Sequence, residues 1–146
     1  MQLHIINEAV ASDEYLDNNK MIDRLVKEYK DYGNLIVAYD FDHTVFDTDN
    51  TGASHEQVIE LLKVCGDMGF TLIVFTCRGP EEYDKVKKFL NDNEIPYDYI
   101  NEDAPSTTFE KSDKKIFYNI FLDDRVGLKS AYEILVGVIY KLRGGE

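Results

Sequence analysis

The chain is poor in cysteine, proline, basic side chains and long apolar runs, and each shortage removes a class of protein. Its 146 residues include two cysteines, Cys65 and Cys77. They have no metal-ligand spacing and build no disulfide framework, so reduced thiols and no zinc site are expected. With three prolines, no repeats and no low-complexity segment, no linker is evident. No apolar run approaches the roughly 18 to 20 residues that cross a bilayer, and the start MQLHIINEAV lacks the charged opening and apolar centre of a signal peptide. The expectation is a cytoplasmic protein with no membrane partner. Basic residues number 16 against 28 acidic ones, a formal net charge of −12. Such a field repels nucleic acid and anionic lipid surfaces. An anionic ligand therefore needs local help, from a bound cation or from Lys111, Lys114, Lys115, Arg125 and Lys129, which crowd one region.

What is present, with 44% of residues hydrophobic, suffices for a single domain over residues 1–146, with 1–33 as a helical extension packed on it. Residues 14–31 place Leu16, Ile22, Leu25, Val26 and Tyr29 at roughly helical spacing, and Gly33 would end that helix. LIVAY, residues 35–39, is continuously apolar, as in a strand buried on both faces. Ser54 and Gln57 predict a capping box for a helix bearing Val58, Leu61, Leu62 and Val64, stopped by Gly66 and Gly69. TLIVF at 71–75 repeats the buried-strand pattern, and Pro80 opens a helix with Val86, Phe89 and Leu90 inward. YDYI at 97–100, IFYNIFL at 116–122 and a helix over 128–142 complete the alternation. Strands alternating with helices predict an α/β fold, a Rossmann-like three-layer sandwich with a mostly parallel central sheet and right-handed crossovers.

Ligands of open parallel sheets bind beyond the carboxyl ends of the strands, near the point where strand order reverses. In LIVAYDFDHTVFDTDN, Asp40 and Asp42 follow the first strand; Thr76 and Arg78 follow the second, and Asp123 and Asp124 follow the fourth. Clustered carboxylates repel one another unless a cation lies between them, and oxygen donors select a hard one such as Mg2+. The expected metal site is built from Asp40, Asp42 and the Asp123–Asp124 pair, and the expected ligand is a phosphate ester. Asp47, Asp49 and Asp113 are read as turn formers or caps and carry no assigned role. DTDNTG, from Asp47 to Gly52, resembles the start of a calcium-binding EF-hand loop, but its twelfth position is Val58 and a strand leads into it, so calcium is excluded. His43 is read as a hydrogen-bonded turn residue and Cys77 as inert.

DFDHT at 40–44, Thr76 after the second strand and LDD at 122–124 after the fourth together resemble the haloacid dehalogenase superfamily of phosphohydrolases, over residues 35 to about 130. The resemblance implies Asp40 as the nucleophile that forms an aspartyl-phosphate and Asp42 as the general acid and base. It implies Thr76 as a hydroxyl holding a phosphoryl oxygen, and one of Asp123 and Asp124 as an acidic ligand of Mg2+. Thr44 would steady the first loop, and Arg78 would join the phosphate site. The family's lysine is assigned to Lys115, with Lys111 and Lys114 as alternatives; an extended chain would leave Lys115 roughly 26 Å from Asp123, so it serves only if the chain turns between them. His43 stands where a glycine is common in the family. The short connections leave no room for an inserted cap, so an open, capless site is implied, suited to a large substrate or to closure by a neighbouring subunit of a homo-oligomer. Similar small members include short bacterial and phage proteins and the 3′-phosphatase domain of polynucleotide kinase. With −12 charges, a nucleotide or other small phosphate ester is expected ahead of a nucleic-acid end. Two rivals remain: a fold of this kind that binds Mg2+ without turnover, and a receiver domain, whose acidic pair would instead follow the first strand.

Overall fold

The computed structural model describes residues 13–105 and 115–145. Lys111, Lys114 and Asp113 lie outside them. Strand β1, Ile36–Tyr39, is buried at every position, as its unbroken apolar run predicts. It can be buried on both sides because it is flanked by β2 (Thr71–Val74) and β4 (Ile120–Leu122), both parallel to it, while β3 (Tyr99–Ile100) adds to β2. The sheet is thus four-stranded and all-parallel, in the order β3-β2-β1-β4, and helices flank it in a Rossmann-like α/β fold.

Side chains alternate across the sheet. Val37, Tyr39, Leu72, Val74 and Leu122 join one core with Leu25 of α1 (Asn18–Tyr32), Leu61 and Leu62 of α2 (Glu56–Asp67), Val86 and Leu90 of α3 (Tyr83–Asp92), and Leu135 and Val138 of α4 (Leu128–Leu142). Ile36, Ala38 and Ile73 form a second core with Ala104 and Ile116, from the connection between β3 and β4. This division follows from handedness. Steps from β1 to β2 to β3 run in one direction and place their right-handed crossovers on one face; the return to β4 runs the other way and crosses the opposite face.

Several element ends differ from the sequence expectation for local reasons. The first α-helix begins at Asn18 because the Asp17 carboxylate accepts from the backbone N–H of Asn19 and Lys20. Residues Glu14–Leu16 form a separate 3-10 turn, and Leu16 is half exposed rather than inward. Gly33, at φ 75°, closes α1 as expected. The Ser54–Gln57 capping box does not form. Ser54 accepts from Glu56 N–H, and His55, at φ 52°, takes the cap position. Gly66 is inside α2 and stops nothing; an added Cβ there would lie 3.0 Å from Cγ of Pro96, so its value is close packing. Pro80 opens a 3-10 turn ahead of α3. The strand expected over 116–122 is reduced to β4, because Asn119 pairs with β1 through its side chain as well as its backbone: its Oδ1 accepts from Ile36 N–H while its N–H reaches Ile36 O.

Tyr39 has no exposed surface, and its hydroxyl donates to Pro96 O at 2.9 Å. Tyr39→Phe leaves that carbonyl without its partner and is expected to cost about 1–2 kcal/mol, read as a lower urea midpoint at unchanged slope. Among the described residues no helix is long and apolar enough to cross a membrane.

A candidate acidic metal and phosphate site

Strand order reverses between β1 and β4, and both strands deliver carboxylates at that point. Asp40 extends β1, its N–H donating to Leu122 O at 2.9 Å, so the first residue after β1 lies beside the last residue of β4. Asp123 and Asp124 come next. One carboxylate oxygen from each of Asp40, Asp123 and Asp124 lies within 4.8 Å of the others. Burial, the negative charge of Asp123 and a hydrogen bond shared with Asp124 push Asp40 up to about 7. Among the described residues the only cation paired with this group is Arg125, whose Nε lies 4.0 Å from Asp124 and whose side chain is 87% exposed, too solvated to offset it. Three oxygen donors, unmatched by protein cations, form a donor set that fits a hard divalent ion such as Mg2+.

Thr44, fully buried, locks the two loops together. Its hydroxyl accepts from Asp124 N–H at 3.2 Å and lies 3.4 Å from Asp124 Oδ1. The steadying role expected within the first loop is thus a tie between that loop and the end of β4.

Asp42 and Arg78, expected on the metal and on the phosphate, are found bound to each other. Arg78 Nη2 donates to Asp42 Oδ1 at 2.7 Å and Nε to Oδ2 at 3.1 Å, a two-pronged pair that Thr48 Oγ1 supplements at 2.6 Å. Arg78 Nη1 reaches Glu82 at 3.2 Å. The guanidinium lies 5.2 Å from the ring centre of Phe41 and 5.6 Å from that of Phe46, and the two rings stack and receive the edge of Phe89. Both partners sit in this partly dry setting, with side chains 21% and 28% exposed, which strengthens the pair. Arg78 holds the Asp42 carboxyl below the ordinary carboxylate range. The carboxylate of Asp42 is not in the three-residue acidic group.

Thr76, 6% exposed, follows β2 as expected, two residues beyond Val74. Its Oγ1 accepts from Arg78 N–H at 3.1 Å. Asn101, the first residue after β3, holds the Thr76 backbone at both ends: its Oδ1 accepts from Thr76 N–H and its Nδ2 donates to Thr76 O, each at 2.8 Å. Sequence reasoning passed over Asn101, although the strand-end rule that selected Asp40, Thr76 and Asp123 applies to it equally. Glu82, Thr48 and the three phenylalanines carried no comparable signal.

Lys115 is exposed, precedes β4, and makes no hydrogen bond or ion pair among the described residues. The structure does not bring it to the carboxylates. His43 adopts φ 61°, donates its N–H to Phe46 O and places Nε2 3.1 Å from Asp49 Oδ2. A left-handed position explains why glycine suits this site, and histidine is among the side chains that tolerate it. Asp47 is the turn former expected, accepting from both N–H and hydroxyl of Thr51 and from Gly52 N–H.

A solved structure of a conserved protein from Bacteroides thetaiotaomicron is similar to this chain, with 24% identity and a TM-score of 0.58, over 75% of this chain and 92% of that one. At that identity the likeness shows the fold alone. No family model and no curated protein matches the chain. Fold and site therefore define a Rossmann-like α/β protein with an acidic cluster at the switch point of its parallel sheet.

Proposed function

We propose that the chain is a Mg2+-dependent phosphomonoesterase of the haloacid dehalogenase type, acting on a nucleotide or another small phosphate ester. The observation that carries this reading is the meeting of Asp40 with Asp123 and Asp124 where strand order reverses, with the Thr76 hydroxyl at the end of the neighbouring strand. Asp40 attacks phosphorus, the bond from phosphorus to the leaving oxygen breaks, and an aspartyl-phosphate forms. Asp42 donates the proton the leaving oxygen needs and later takes one from the water that hydrolyses the intermediate. Thr76 donates its hydroxyl hydrogen to a phosphoryl oxygen. When bound, the cation offsets the carboxylate charges and stabilises the negative charge of the transferring group. Arg78 holds Asp42 ionised, the form needed for the second step; the first step requires a proton on Asp42 and hence a looser Arg78 contact.

A second reading, a Mg2+-binding protein without turnover, is favoured by that same grip and by the lack of a lysine paired with the carboxylate cluster among the described residues. Phosphate release from an aryl phosphate separates the two. Wild type is expected to turn over in Mg2+ and to stop on chelation. Tight Mg2+ binding without release from any of a panel of nucleotides and sugar phosphates would establish the second reading.

A further inference from the structure

We propose that Asn101 is the positioning residue of the phosphate subsite, setting the Thr76 hydroxyl where a phosphoryl oxygen binds; this rests on the phosphohydrolase reading above. Thr76 must present one short hydroxyl from a strand end, where the backbone no longer has a ladder to hold it. The ladder continues only as far as Phe75 N–H to Tyr39 O and Asn101 N–H to Val74 O. Beyond that point the side-chain amide of Asn101 substitutes for a neighbouring strand, accepting from the N–H and donating to the C=O of Thr76.

The amide is itself fixed. Its Nδ2 also donates to the Tyr83 hydroxyl at 2.8 Å, at the first residue of α3, so the Thr76 loop, the end of β3 and the start of α3 form one unit. Asn101 reaches both the N–H and the C=O of Thr76 from φ 54°, a backbone state that asparagine adopts more readily than most side chains. Its neighbour's chemistry completes the case. Thr76 Oγ1 already accepts the Arg78 N–H, and its own hydrogen has no acceptor among the described residues. A buried hydroxyl with a spare donor, held by an amide clamp at a strand end, is a preset donor for an anionic oxygen.

Asn101→Gly separates the clamp from the backbone, because glycine accepts the left-handed angle without strain while losing all three side-chain contacts. In the Mg2+-loaded protein, titration with inorganic phosphate is expected to show affinity reduced about tenfold, with Mg2+ affinity unchanged. Asn101→Asp, which keeps the oxygen that accepts from Thr76 N–H, is expected to lose less and guards against a glycine variant that folds poorly. Thr76→Val should match Asn101→Gly, and the double variant should be no worse than either alone, since both remove one hydroxyl contact. Unchanged phosphate affinity in both Asn101 variants, with wild type binding phosphate, overturns this proposal and leaves the phosphohydrolase reading intact. Parallel losses of phosphate and Mg2+ affinity also overturn it, because the residue would then serve the whole site. No phosphate binding by Mg2+-loaded wild type overturns both.

Discussion

Asp40→Asn is expected to abolish phosphate release and at the same time to make the metal-free protein more stable at pH 8. The two effects share a cause. Burial of Asp40, the negative charge of Asp123 and the hydrogen bond shared with Asp124 raise its folded-state carboxyl to about 7 against an ordinary value of 3.8. A carboxyl with a raised folded pKa contributes stability that is complete below the unfolded value and is lost as pH climbs through the folded one. Metal-free wild type should therefore weaken between about pH 4 and pH 7, and Asp40→Asn should flatten that slope. The site is half-buried and solvent screens part of the repulsion, so a gain of about 1–2 kcal/mol is expected, or roughly 3–6 °C in midpoint at pH 8. Adding Mg2+ should reverse the order, raising the wild-type midpoint well above its metal-free value and the variant's much less. Thermal unfolding of both proteins at pH 5 and pH 8, with chelator and with Mg2+, tests all of this. A variant no more stable than wild type at pH 8 without metal would mean that the carboxylates are not strained.

Arg78→Ala is expected to cost about 2–3 kcal/mol at neutral pH, since it strips a two-pronged charged partner from Asp42 and uncovers the Phe41 and Phe46 rings. The sign with pH is opposite to that at Asp40. Asp42 has a lowered folded pKa, so its contribution is present above the ordinary carboxylate value and lost as pH falls through the depressed one. The stability gap between wild type and Arg78→Ala should therefore be widest at neutral pH and shrink in acid. Kinetics then divide two roles for the arginine. If Arg78 acts by holding Asp42, kcat should fall about 10- to 100-fold and the acid limb of the pH–rate profile should move upward as Asp42 returns toward its ordinary value. If it grips the phosphate, KM should rise and the pH profile should stay in place. Arg78→Lys sharpens the contrast, because lysine keeps the charge and loses the planar fork.

How much of this was legible depends on the range of the interaction. Continuous apolar runs announced β1 and β2, since a strand covered on both faces has no polar position to give. The last helix was read at its observed limits because a long apolar face needs no partner to be recognised. Short, tertiary-dependent features were not. The first helix starts late because Asp17 caps it, and the second starts late because His55 takes an unusual backbone angle. The strand before Asp123 is short because Asn119 meets β1 through one backbone and one side-chain hydrogen bond, and Ile116 packs on the sheet face.

By itself the sequence determined that a parallel α/β sheet would form and that acidic residues would gather past its strand ends. Both follow from local pattern, the first from burial on two faces and the second from the position of Asp40, Thr76 and Asp123 one residue beyond an apolar run. Which of those groups touch was decided only in three dimensions. Strand order placed β4 beside β1, and so joined Asp123 and Asp124 to Asp40. Competition for partners then turned Asp42 to Arg78, because an arginine in an aromatic setting is far better satisfied by a bidentate carboxylate than by solvent. The same competition gave Thr76 to Asn101, across 25 residues of chain, through an amide that no linear pattern marks.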